Sequence, residues 1–120
     1  MIPANLYSWR EFGREAEYVV GSILKLKGWK VRFSPSSRGP ADIIASKSGT
    51  TWCIQVKSSL KSPHIKSQEI SKLNGFARSV RGIAVFASFQ PWCDNQEFGF
   101  SIGQYKILLY SLEDWKLLQP

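Results

Sequence analysis

The sequence predicts an α/β fold in which helices flank one mixed central β-sheet. Three observations carry this: two stretches of helical spacing, several short strand-like runs around them, and no internal repeat, linker or low-complexity tract. With 120 residues, 43% of them hydrophobic, the chain is expected to form a single domain over 1–120 with a modest core.

The first element is a helix from Trp9 to about Lys27. Ser8-Trp9-Arg10-Glu11 has the S-x-x-E form of a capping box. Apolar residues then recur at Trp9, Phe12, Ala16, Val19, Val20, Ile23 and Leu24. Gly28 is a natural stop. Trp29–Phe33 alternates apolar and basic residues, as a strand with one wet face does. Ser34–Pro40 is loop chemistry, and Ala41–Ala45 and Thr51–Val56 are two further strands. Between them, Lys47-Ser48-Gly49-Thr50 predicts a hairpin turn. After a polar connection with Pro63, Ser67 is placed to cap a second helix, with apolar positions at Ile70, Leu73, Phe76, Ala77 and Val80 and an end at Gly82. Ile83–Phe89 is apolar enough for a strand covered on both faces. Gln90–Gly99 is predicted as a loop, Tyr105–Tyr110 as a strand and Leu112–Leu118 as a short final helix.

The apolar runs are too short to span a bilayer, and Met1–Trp9 lacks a basic flank followed by an apolar stretch. A cytoplasmic protein without membrane partners is the expectation. Cys53 and Cys93 are too few and too far apart for a zinc site, and Cys53 reads as a buried, inert thiol. A net charge of +7 and a pI near 9.7 favour a polyanionic partner, nucleic acid first. Between Tyr18 and Gln68 nine basic residues surround one acid, Asp42.

If Ser48-Gly49 is a two-residue turn, facing residues of the hairpin sum to 97, and Asp42 lies opposite Gln55. Gln55 and Lys57 then share a face with Asp42, while Ile43, Ala45, Trp52, Ile54 and Val56 point into a core. A carboxylate, an amide oxygen and an ammonium so grouped suit phosphodiester hydrolysis. A hard cation such as Mg²⁺ takes oxygen ligands, and Lys57 can position water or stabilise the transition state. Glu17, at the border of the first helix's apolar stripe, is a candidate second carboxylate. Taken alone, a D-x(n)-Q-x-K string is weak, and a surface salt bridge from Asp42 to Arg38 or Lys57 would be the plainer reading.

The combined spacing is more specific. Gly13-x-x-x-Glu17, Gly28-Trp29, Gly39-Pro40-Ala41-Asp42-Ile43-Ile44-Ala45 and Ile54-Gln55-Val56-Lys57 together resemble the PD-(D/E)XK nuclease superfamily, most of all the archaeal Holliday junction resolvases. The resemblance covers most of the chain and implies a restriction-endonuclease-like core. Glu17 matches the helix glutamate, Asp42 the first motif aspartate and Lys57 the motif lysine. It implies an endonuclease dependent on Mg²⁺ or Mn²⁺, with Asp42, Gln55 and Glu17 as metal ligands, acting as a homodimer on branched DNA in recombination and repair.

Gln55 departs from the pattern, since the position normally carries a glutamate. Its Q-x-K form resembles the Mrr-like restriction endonuclease branch. The substitution removes one negative charge, for which Glu15 or Glu69 are candidates to compensate. Pro40 is also displaced by one residue from the motif position. Two rival functions follow: an inactive DNA-binding module on a nuclease fold, or an Mrr-like nuclease of duplex DNA. Arg14, Arg38, Ser58, Ser59, Lys61 and Lys66 are the candidate DNA-contacting residues. Solvated loop positions are the plainer reading of Arg38, Ser58 and Ser59. Gln68 is a weaker metal or DNA candidate by family analogy, and His64 an exposed bystander. Trp9, Trp29, Trp52, Phe86 and Phe89 read as core. Trp92, Phe98, Phe100 and Trp115 lie in a mildly acidic C-terminal third suited to self-association.

Overall fold

The computed structural model describes residues 9–34, 39–59, 63–91, 100–102 and 105–120. In chain order these form α1 (Trp9–Leu26), β1 (Lys30–Phe33), β2 (Ile43–Lys47), β3 (Thr50–Ser58), α2 (Ser67–Ser79), β4 (Ile83–Pro91), β5 (Phe100–Ile102), β6 (Tyr105–Ser111) and β7 (Leu117–Leu118). The strands make one mixed sheet in the order β1-β2-β3-β4-β6-β5, with β7 also paired to β6. Only the β3–β4 pair is parallel among these, and α2 is the crossover that joins its strands.

The end of α1 follows from Gly28. Its φ of +95° suits a residue without Cβ, and the Trp29 N–H donates back to Leu24 O at 3.0 Å while Gly28 N–H donates to Lys25 O at 3.1 Å. This is a Schellman stop, and Leu24 and Trp29 meet in the core beneath it. The first residue of α1 is Trp9 as the periodicity predicts; Ser8, the expected cap, lies outside the described residues.

The turn between β2 and β3 has Ser48 at φ +50° and Gly49 at φ +82°. Two successive left-handed residues match the twist of the flanking strands and fix a two-residue loop. Lys47 therefore pairs with Thr50 and Ile43 with Ile54, the expected register. That register sorts the side chains by face. Ile43, Ala45, Trp52, Ile54 and Val56 join Ala16, Val20, Ile23 and Leu24 of α1 in one core. Cys53 and Ile44 turn to the other face, where Leu73 and Ala77 of α2 pack with Phe86 and Leu112. The chain is thus a three-layer sandwich, and β4, buried from Ala84 to Phe89, runs through its middle. Trp29 and Trp52 pack with ring centroids 4.2 Å apart and planes tilted by 34°, in keeping with their expected core positions.

Three expectations need correction. The cap of α2 is Lys66 rather than Ser67: the Lys66 N–H donates to Glu69 Oε1 at 3.0 Å, so the helix is closed from within by its own glutamate. The left-handed residue after α2 is Arg81 (φ +57°), not Gly82. Gly82 is required for a different reason, because a Cβ there would sit 3.0 Å from Thr51 O and 3.2 Å from Cys53 Sγ. The final helix does not form. After one turn, closed by Trp115 N–H to Ser111 O at 2.7 Å, Trp115 takes φ +55° and the chain reverses to pair Leu117 and Leu118 with β6. A seven-residue helix gains few bonds for the cost of its first turn, whereas the edge of β6 offers ready backbone partners. β5, also on that edge, was not expected from the sequence pattern.

Candidate active site

At the open end of the β2–β3 hairpin the strands part just before Ile43. Asp42 occupies the gap. Its N–H donates to Ile54 O at 2.8 Å, and its own carbonyl turns the other way to accept the Ser34 N–H at 2.9 Å. The Val56 N–H, which would otherwise lack a partner in a buried strand, donates to Asp42 Oδ2 at 2.9 Å. The Ser34 hydroxyl donates to Ala41 O, tying the residue after β1 to the one before Asp42. The aspartate is thereby locked in place with 4% of its surface exposed. Burial pushes its carboxyl above the usual value, outweighing the Val56 hydrogen bond and the Lys57 charge, which favour the anion; the Glu69 charge adds to the upward push.

Gln55 and Lys57 project from β3 on the face covered by α2, since they share the parity of Cys53. Both are partly buried. Gln55 lines a cavity of about 550 Å³ together with Gly39, Pro40, Glu69, Lys72 and Phe76, between the loop before Asp42 and the first turns of α2. Lys57 Nζ lies 2.5 Å from Glu69 Oε2, with both side chains about 30% exposed. Lys57 is therefore paired across to α2, and the plainer reading of a salt bridge to Asp42 does not describe its main contact. Burial raises the Glu69 carboxyl, but the hydrogen bonds from Lys57 and from the Lys66 N–H, with the charges of both lysines, hold it below the usual range.

The structure thus brings Asp42, Gln55 and Lys57 to one end of the hairpin and adds Glu69. Glu17 is half-buried on α1, the helix that covers the opposite face of the sheet, and the charges acting on Asp42 are those of Lys57 and Glu69. Among the described residues no three of His, Cys, Asp and Glu are grouped closely enough to enclose a metal ion. Glu69 was visible in the sequence only as an acid of unknown direction. Its S-Q-E context at a helix start was the available signal, because a third-position glutamate folds back over the helix N-terminus.

Of the candidate DNA contacts, Ser58 ends β3, Ser59 follows it with its N–H donating to Phe89 O at 3.2 Å, and Lys66 is exposed at the start of α2. Arg14 is exposed on α1, in the other layer. Arg38 and Lys61 lie outside the described residues, as do Trp92, Phe98 and Cys93. His64 and Gln68 are exposed, and Trp115 is 49% exposed while touching Phe86 and Tyr110 ring to ring. No helix is long and apolar enough to cross a membrane among the described residues.

A mixed sheet with a helix on each face, and an aspartate and an x-lysine strand meeting where a hairpin opens, is the arrangement expected of the PD-(D/E)XK fold. The chain belongs to the archaeal Holliday junction resolvase (Hjc) family, whose model matches residues 8–93. In three dimensions it is similar to Hjc of Archaeoglobus fulgidus, a Holliday junction resolvase from an archaeal hyperthermophile, with a TM-score of 0.64 at 18% identity over 84% of this chain and 73% of that one. No sequence match is found among curated proteins.

Proposed function

We propose that the chain is a divalent-metal-dependent endonuclease that hydrolyses phosphodiester bonds of branched DNA, acting as a homodimer. Family membership supports the nuclease class, the branched substrate and the dimer, and one observation carries the metal-dependent chemistry: Asp42 is a carboxylate held out of water at the end of the hairpin that also carries Gln55 and Lys57. A buried anion is costly unless a cation or hydrogen bonds offset it. Asp42 and Gln55 offer only oxygen donors, the type a Mg²⁺ or Mn²⁺ ion prefers, and Mg²⁺ commonly keeps several waters beside one or two protein ligands. That donor set fits the ion without a full protein cage. Glu17 is the third ligand implied by family resemblance, to be tested separately because α1 lies across the sheet.

When bound, the ion would supply an acidified water and neutralise charge on the phosphate. The chain's own residues do the remainder. The Val56 N–H fixes the Asp42 carboxylate in one orientation. Lys57 presents an ammonium at the rim of the site, where it stabilises negative charge developing on the phosphoryl oxygens. Lys66 and Lys72 on α2 and Arg14 on α1 are exposed cations suited to phosphate contacts. Ser58 and Ser59 follow Lys57 directly at the end of β3, and with Arg38 and Lys61 they are DNA contacts proposed from the sequence alone.

The test is cleavage of four-way junctions, flaps and linear duplexes by the purified chain with Mg²⁺ or Mn²⁺. Preferential cutting of junctions, lost in Asp42→Asn, is expected. No cleavage of any substrate with either metal would refute the enzyme reading and leave a DNA-binding module. Equal cutting of linear duplex would instead favour the Mrr-like alternative.

A further inference from the structure

Gln55 leaves the site one charge short, and the acid that meets it comes from a different element. Asp42, Gln55 and Lys57 by themselves sum to no net charge at neutral pH, which gives a divalent cation little electrostatic reason to bind. Glu69 restores a net charge of −1 to the group. It does so from a fixed position: Oε1 accepts the Lys66 N–H at the start of α2, and Oε2 meets Lys57 Nζ at 2.5 Å. It lines the same cavity as Gln55. Its charge also reaches Asp42, where it acts against the anion as a neighbouring carboxylate of a shared site must.

We propose that Glu69 is the second carboxylate of this site, supplying from α2 the negative charge that Gln55 does not supply from β3, and holding the Lys57 ammonium at the rim. This rests on the nuclease reading above. A plain helix-capping glutamate needs one oxygen toward the Lys66 N–H. Here the second oxygen is committed to the motif lysine, twelve residues back along the chain on β3 and outside any local requirement of the helix.

The charge can be moved back to test this. Three proteins are compared with the unsubstituted chain by calorimetric titration with MnCl2 and by junction cleavage: Glu69→Gln, Gln55→Glu/Glu69→Gln, and Asp42→Asn. Glu69→Gln keeps an oxygen for the Lys66 N–H, so α2 retains its cap, which thermal unfolding checks. Mn²⁺ affinity should fall roughly 10- to 100-fold in Glu69→Gln, the usual cost of losing a neighbouring group that tunes a metal site. The double exchange should recover most of that loss, because the net charge is the same. A merely structural Glu69 predicts no recovery from a change on β3. Unchanged Mn²⁺ affinity in Glu69→Gln, or a double exchange that binds no better than the single one, overturns the inference. If Asp42→Asn alone abolishes binding, the nuclease reading still stands in that case. If the unsubstituted chain neither binds Mn²⁺ nor cuts, both fall together.

Discussion

Replacing Asp42 by Asn and, separately, by Ala separates its charge from its hydrogen bond. Asn keeps an oxygen for the Val56 N–H; Ala leaves that N–H without its partner in a strand residue only 8% exposed. An unsatisfied buried donor costs about 1–3 kcal/mol. The Ala variant should therefore unfold below the Asn variant by roughly 4–12 °C, since 1 kcal/mol is worth about 4 °C in a chain of this size. The charge has the opposite sign. Burial holds the Asp42 carboxyl above its ordinary value of 3.8, so the native state binds more protons than the unfolded chain between 3.8 and the folded value. Stability from this group is lost as pH rises through that window and is not regained above it. Asp42→Asn removes the titration, so it should match or exceed the unsubstituted chain at pH 7, by a margin that closes as the pH falls below 3.8. Urea and thermal unfolding followed by tryptophan fluorescence, from pH 3 to 7 in metal-free buffer, read both effects. Equal stability of the Ala and Asn variants would refute the structural part. A clear loss of stability in Asn at pH 7 would refute the electrostatic part.

Other positions give independent checks. Lys57→Met should lower cleavage by about 10²–10³-fold if its ammonium stabilises the transition state, yet cost under about 1 kcal/mol of stability because the Glu69 pair is about 30% exposed. The Glu69 carboxyl, held below its ordinary 4.5, contributes stability that is present above that value and lost as pH falls through the folded one; in Lys57→Met this acid-side loss should shrink, as acid titration of unfolding would show. Leu73→Ala empties a fully buried position under α2 and should cost about 2–5 kcal/mol in urea unfolding. Gly49→Ala meets no atom within 4 Å, so its expected loss of about 1–2 kcal/mol comes from the left-handed backbone alone. The Cys53 thiol is fully buried and pushed up by that burial, so a thiol reagent should label its peptide only when the chain unfolds; labelling at the rate of an exposed thiol would contradict the packing.

What the sequence determined by itself is what repeats at short range. The stripe from Ala16 to Leu24 and the Gly28 stop define α1, and Ser48-Gly49 sets the hairpin register to the residue, because helical and strand periods and left-handed turn residues act within a few positions. The convergence of Asp42, Gln55 and Lys57 followed from that register. Tertiary structure decided the rest. Leu112–Leu118 has the apolar content of a helix, but the free edge of β6 captures its end as β7. The sequence allowed Asp42 a ladder position opposite Gln55; the parting of the strands makes its carboxylate the acceptor for Val56 instead. Glu69 meets Lys57 only because α2 crosses over to make β4 parallel to β3, a contact between distant residues that no local period encodes. The site therefore has a local half, the hairpin, and a docked half, α2. It is the docked half that brings a second acid to the place where Gln55 lacks one.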